Sequence, residues 1–83
     1  VVRLNRAIAL SWAQGPSAGL AALREIESEP ELQRLALLEA ARADLHSRLG
    51  EAHHARDAYA AALERAGSEQ EKQLLQRRLA ELA

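Results

Sequence analysis

Glycine or proline interrupts this chain at four places, and every run between the interruptions is built from strong helix formers. The breaks fall at Gly15-Pro16, Pro30, Gly50 and Gly67. Ala, Leu, Arg and Glu dominate the intervening runs, and these side chains lose least on entering a helix. Strand formers are nearly missing: valine occurs only at Val1 and Val2, Phe and Thr are absent, and Trp12 and Tyr59 are the two aromatics. The spacing predicts five helices, at about 2–14, 16–28, 30–49, 51–66 and 68–82. Gly15 suits a left-handed helix end, and Pro16 suits the first turn of the next helix. Ser68 with Glu71 three residues on has the pattern of a capping box.

Each run carries apolar residues at helical spacing. The expected stripes are Leu4, Ile8 and Trp12; Leu20, Leu23 and Ile26; Leu35, Leu38, Leu45 and Leu49, with Ala36, Ala40 and Ala43 beside them. Ala55, Tyr59, Ala62 and Leu63 form the fourth, and Leu75, Leu79 and Leu82 the fifth. Gly19 costs its helix about 1 kcal/mol relative to Ala, so its small size predicts a close approach by a neighbouring helix. The short connections make successive helices antiparallel neighbours.

Several function classes drop out here. Eighty-three residues allow one small domain. With no cysteine there is neither a disulfide nor a thiolate metal site. A net charge of −1 is not that of a DNA-binding surface, and two aromatics are too few for a single-strand stacking platform. No apolar run approaches the ~20 residues of a membrane span, so no membrane partner is expected. There is no glycine-rich phosphate loop and no serine in a strand–turn–helix elbow, so catalysis is not expected. His53 and His54 point about 100° apart on a helix, and His46 lies beyond Gly50; neither a metal nor any other cofactor is expected. The chain opens at Val1 and has no methionine, as a piece of a longer protein would.

Gly15 and Gly50 lie 35 residues apart, each between two helical runs. From Ala36 to Ser68 the chain resembles a tetratricopeptide repeat, with Ala43, Gly50, Ala55, Tyr59 and Ala62 at that family's small, glycine, alanine, aromatic and alanine positions. Glu39 and His46 stand where bulky side chains are usual, and Gly67 replaces the closing proline. The first hairpin is degenerate, with Leu20 and Arg24 at small and aromatic positions. The expected fold is all-α: a stack of two antiparallel helix hairpins (residues 1–28 and 30–67) plus a capping helix (68–83).

The order of motifs carries a second resemblance. Leu4-Asn5-Arg6-Ala7-Ile8-Ala9 is followed by Gly15-Pro16-Ser17-Ala18-Gly19-Leu20, Ala40-Ala41-Arg42-Ala43-Asp44-Leu45, Arg48-Leu49-Gly50, Ala58-Tyr59 and the stretch from Glu69 to Leu79. This resembles the helical C-terminal extension of one group of bacterial extracytoplasmic-function sigma factors. The resemblance implies a cytoplasmic regulatory domain whose partners are the upstream sigma domains and the RNA polymerase core. Promoter DNA would be met only through those upstream domains, and no catalytic residue comes with the likeness.

In tetratricopeptide arrays the first helix of each pair lines a concave groove. The resemblance assigns Leu37, Ala40, Asp44, Ser47 and Arg48 to it from the good repeat. From the degenerate repeat it assigns Val2, Asn5, Ala9, Trp12 and Ala13. Asn5, Trp12, Asp44 and Arg48 are the candidate partner-binding residues, since Trp and Arg are common hot spots. The competing reading buries Trp12 in the core and makes the other three a solvated face or one polar network. Arg6 and Arg42 are candidate anchors to the upstream domains. Arg42 interrupts an apolar stripe and needs a partner, so the competing reading is an internal ion pair with Glu39. Lys72, Arg77 and Arg78 read as an ordinary mixed helix face. Homodimerisation through Val1, Val2, Leu10 and Leu82 is a further alternative.

Overall fold

A computed structural model describes residues 2–33 and 35–82, and all of its regular structure is helical. The helices are α1 (Val2–Gln14), α2 (Pro16–Ile26), α3 (Pro30–Gln33), α4 (Ala36–Arg48), α5 (Ala52–Arg65) and α6 (Glu69–Glu81). Helices α1 and α2 form one hairpin, α4 and α5 a second, and α6 packs on α5. The result is a slab of 28 × 28 × 17 Å.

There are thus six helices among the described residues, not five. The expected helix over residues 30–49 divides into α3 and α4, with Leu35 extended at φ −85° and ψ 127°. No glycine or proline marks this break; packing does. Leu32 is fully buried against Leu20, Leu23 and Ile26 of the first hairpin, and Leu35 joins the same cluster. α4 meanwhile turns toward α5, and tertiary contacts override local propensity.

The two glycine turns differ. Gly50 has φ +79°, Glu51 N–H donates to His46 O (2.9 Å), and Gly50 N–H donates to Ser47 O (3.0 Å). That is a Schellman ending, which satisfies carbonyls the helix leaves open. Gly15 also has positive φ (+100°), but its ψ of 163° lies outside the left-handed helical region expected for it. This nearly extended conformation is open to glycine alone, and Pro16 begins α2 directly after it.

Two cores flank α4. Leu4, Ala7, Leu20, Leu23, Ile26, Leu32, Leu38, Ala41 and Leu45 pack between it and the first hairpin. Ala36, Ala43, Ala55, Ala58, Tyr59, Ala62 and Leu75 pack on its other side. α4 thus buries apolar residues on two sides and keeps Glu39, Arg42, Asp44 and Arg48 for ion pairs, and alanine on the second interface lets α4 and α5 lie close. Two expected stripes shift. α1 buries Leu4, Ala7 and Ser11, with Ile8 at the edge and Trp12 outside. Leu49 is exposed, although its backbone still follows α4 and its N–H donates to Leu45 O.

Gly19 fulfils its expectation. A methyl group there would stand 2.5 Å from Ser11 Cβ and 3.1 Å from Leu45 Cδ1. The hydrogen side chain therefore sets the spacing of α1, α2 and α4 at one point. At α6, Ser68 Oγ accepts from Glu71 N–H (3.1 Å), and Glu71 Oε1 accepts from Gly67 N–H (3.0 Å). The reciprocal bond reaches one residue further back than the standard capping box.

Candidate partner-binding groove

α1, α4 and α6 lie side by side on one face and leave a groove of about 420 Å³ between them. Its floor is Leu37, Ala40, Ala41 and Leu45 of α4, with Tyr59 of α5 and Leu75 of α6 behind them. Ile8, Ser11 and Trp12 form the α1 wall; Leu74 and Arg78 form the α6 wall. Trp12 is 69% exposed, Leu37 44% and Leu74 45%. Three of the largest exposed apolar side chains thus converge on one concavity, while a solvated helix face normally scatters them singly.

Polar groups gather at the end of the groove where α4 ends. Arg48 holds the rim: Nη1 donates to Ser11 Oγ and Nη2 to Ser11 O, both at 3.0 Å. Its guanidinium carbon lies 3.9 Å from the centre of the Trp12 ring, an arrangement favoured by the ring quadrupole. Ser11 is 1% exposed, and its hydroxyl donates in turn to Ile8 O at 2.6 Å. Asp44 lies between two guanidiniums, 3.7 Å from Arg48 Nη1 and 3.9 Å from Arg78 Nη1. Burial pushes the Tyr59 hydroxyl above its ordinary 10.0, and the adjoining Arg78 guanidinium draws it part of the way back.

The candidate residues fall in different places. Trp12 and Asp44 line the groove and Arg48 clamps Trp12 at its rim. Burial of Trp12 in the core is therefore ruled out. Asn5 is exposed on α1 outside the lining, as are Val2, Ala9 and Ala13. Arg42 forms an internal ion pair: Nη2 sits 2.7 Å from Glu27 Oε2 and Nη1 3.4 Å from Glu39 Oε1. Glu39, buried, also meets Arg65 Nη1 at 3.0 Å. Arg6 is exposed on α1. Val1 lies outside the described residues, and Leu82 packs against the second core. Of the dimerisation residues, Val2 offers open surface.

Leu74, Arg78, Tyr59 and Ser11 were not foreseen in the groove. The repeat itself held the signal for α6: a stride of 34 residues from Ala40, Ala41 and Asp44 lands on Leu74, Leu75 and Arg78. On α1 the lining residues Ile8, Ser11 and Trp12 stand 33 residues before Ala41, Asp44 and Leu45. The 35-residue glycine spacing pointed instead to Asn5 and Ala9.

The Schellman turn brings His46 within 5.1 Å of His54, ring to ring, with Nδ1 2.7 Å from Glu51 Oε1. Among the described residues no group of three His, Cys, Asp or Glu is placed to hold a metal ion. No described helix is long and apolar enough to cross a membrane.

Consecutive helix hairpins whose first helices line a shared concave face define a helical-repeat scaffold. The model of the tetratricopeptide repeat-like domain matches residues 5–83, and the chain belongs to that family. Such domains are generally non-catalytic modules that bind protein partners. No curated protein and no solved structure matches the chain.

Proposed function

We propose that this domain binds a protein segment in the α1–α4–α6 groove and thereby regulates the protein that carries it. The observation that carries this reading is the convergence of Trp12, Leu37 and Leu74 on one concave face. Exposed apolar surface gathered into a concavity is costly to leave in water and is regained on binding. The order of the sequence motifs supports a narrower assignment. In it the domain is the C-terminal regulatory domain of an extracytoplasmic-function sigma factor, in contact with the upstream sigma domains or the polymerase core. The test is retention of core polymerase by the full-length parent, with and without these 83 residues, and with Trp12→Ala and Leu74→Ala together. Altered retention in both variants supports the assignment. Unchanged retention, or a parent without promoter-reading domains, removes it.

A generic adaptor that captures peptides is the second reading. The exposure of Trp12 under the Arg48 clamp favours it, because such a rim needs no covalently attached partner. Under that reading the isolated chain captures a peptide, and Trp12→Ala or Arg48→Ala abolishes capture while the helical content is retained.

A further inference from the structure

The groove selects for one kind of occupant, and this inference rests on the protein-binding reading above. We propose that it takes an amphipathic helix from a partner protein. The helix carries an acidic residue in its first turn and large apolar residues four and seven positions later, and it lies antiparallel to α4.

The helical form follows from the floor. Leu37, Ala40 and Ala41 offer no backbone or side-chain hydrogen-bonding groups, and an all-helical scaffold has no open strand edge to extend. An extended peptide would bury its amides there without partners, whereas a helix satisfies its own. α1 and α6 make no substantial contact with each other, so the groove stays open between their walls.

The charge follows from the polar end. Asp44 is one carboxylate facing two guanidiniums, so the Arg48–Asp44–Arg78 group keeps a net positive charge. Arg48 is engaged by Ser11 and Trp12, while the Arg78 side chain is 46% exposed and adjoins the groove. Glu81, one turn further along α6, is exposed and outside the lining, yet near enough to act on Tyr59, so from the solvent side it offsets part of this positive charge. A carboxylate on the occupant meets Arg78; an ammonium group there meets a net positive end.

Spacing and direction follow together. Leu37 and Asp44 are seven residues apart on α4, two turns or about 10.5 Å. An occupant with its acid beside Arg78 therefore places apolar side chains four and seven residues away over the Leu37 end. Acidic residues are favoured at a helix N-terminus, so the occupant's first turn sits where α4 ends. A helix of about 14 residues, ~21 Å long, fits on a face 28 Å across.

The test uses an Ala-based library of displayed helical peptides of this length. Leucine is fixed at the two apolar positions, and the first-turn position is randomised. Asp or Glu is expected to be enriched about tenfold over Lys or Arg. The enriched peptide is expected to blue-shift the emission of Trp12, the only tryptophan. On the Arg78→Gln chain the preference should fall about tenfold, with an unchanged circular dichroism spectrum. Binding with no acidic preference, or a basic one, overturns this occupant and leaves the groove a protein-binding site. Failure of every helix to bind also overturns it. So does a dimer mass with Trp12 already blue-shifted, which assigns the groove to a second copy of the chain. The polymerase-retention result is read independently of all these outcomes.

Discussion

Replacing Gly19 by alanine should destabilise this domain, although alanine is the better helix former. Intrinsic propensity alone favours the change by about 1 kcal/mol. Against it stands the position of the new methyl group, 2.5 Å from Ser11 Cβ, with Leu45 Cδ1 and Cδ2 at 3.1 and 3.3 Å. The leucine methyls end a side chain that turns aside easily. Ser11 Cβ does not, since it is fixed directly to the α1 backbone. α1 and α2 must therefore move apart by roughly an ångström, and overpacking of this kind costs typically 1–3 kcal/mol. The net expectation is a loss of up to about 2 kcal/mol, or up to about 16 °C in Tm for a domain of this size. Thermal melts followed by circular dichroism measure it. Gly67→Ala is the control, because nothing lies within 4 Å of the added methyl and its φ is not positive; its Tm should stay level or rise. A Tm for Gly19→Ala raised by the full propensity gain would mean that the helix pair separates at no cost, and that reasoning would then fail.

Arg48→Ala should remove the cation from the Trp12 ring and the two bonds to Ser11; a shift in Trp12 emission with little change in far-ultraviolet dichroism is expected, and an unmoved spectrum contradicts the clamp. Ser68→Ala deletes the cap that accepts from Glu71 N–H and should cost about 1 kcal/mol, with amide exchange accelerating first in α6. Tyr59 should ionise later than a free tyrosine, since burial raises its value above 10.0. A raised folded value means that the folded state holds the proton longer than the unfolded state. Stability is therefore full below about 10.0 and falls as pH climbs through the folded value. Tyrosinate absorbance and alkaline denaturant melts read this, and Tyr59→Phe should flatten the slope. Ionisation of Tyr59 at or below the free value would count against its burial.

The elements were legible because punctuation and propensity agree in this chain. Gly15-Pro16, Gly50 and Ser68 each carry local chemistry that ends or begins a helix whatever surrounds it, and the helices stop and start there. The break at Leu35 was not legible, since it arises from the burial of Leu32 under the first hairpin, a contact between residues distant in sequence. The same limit applies to the groove. By spacing Trp12 continues the Leu4–Ile8 stripe, but α1 packs against Gly19 through Ser11 and leaves Trp12 outside. Helical spacing puts Arg42 beside Glu39, yet its shorter partner, Glu27, follows α2 and comes from tertiary structure.

Ser11 links the packing of the first hairpin to the rim of the groove. Its Cβ faces Gly19, its hydroxyl and carbonyl both accept from Arg48, and Arg48 covers Trp12. Arg48 belongs to α4, so the seam between the two hairpins and the binding rim are held by the same side chain. A displacement of α1 away from α4 would lengthen the bonds to Arg48 and draw the guanidinium off the indole ring. Binding in the groove, as proposed above, would thus be coupled to docking of the two hairpins through one serine. An occupant that holds Trp12 in place should raise the stability of the hairpin seam by the same free energy with which that seam favours the occupant.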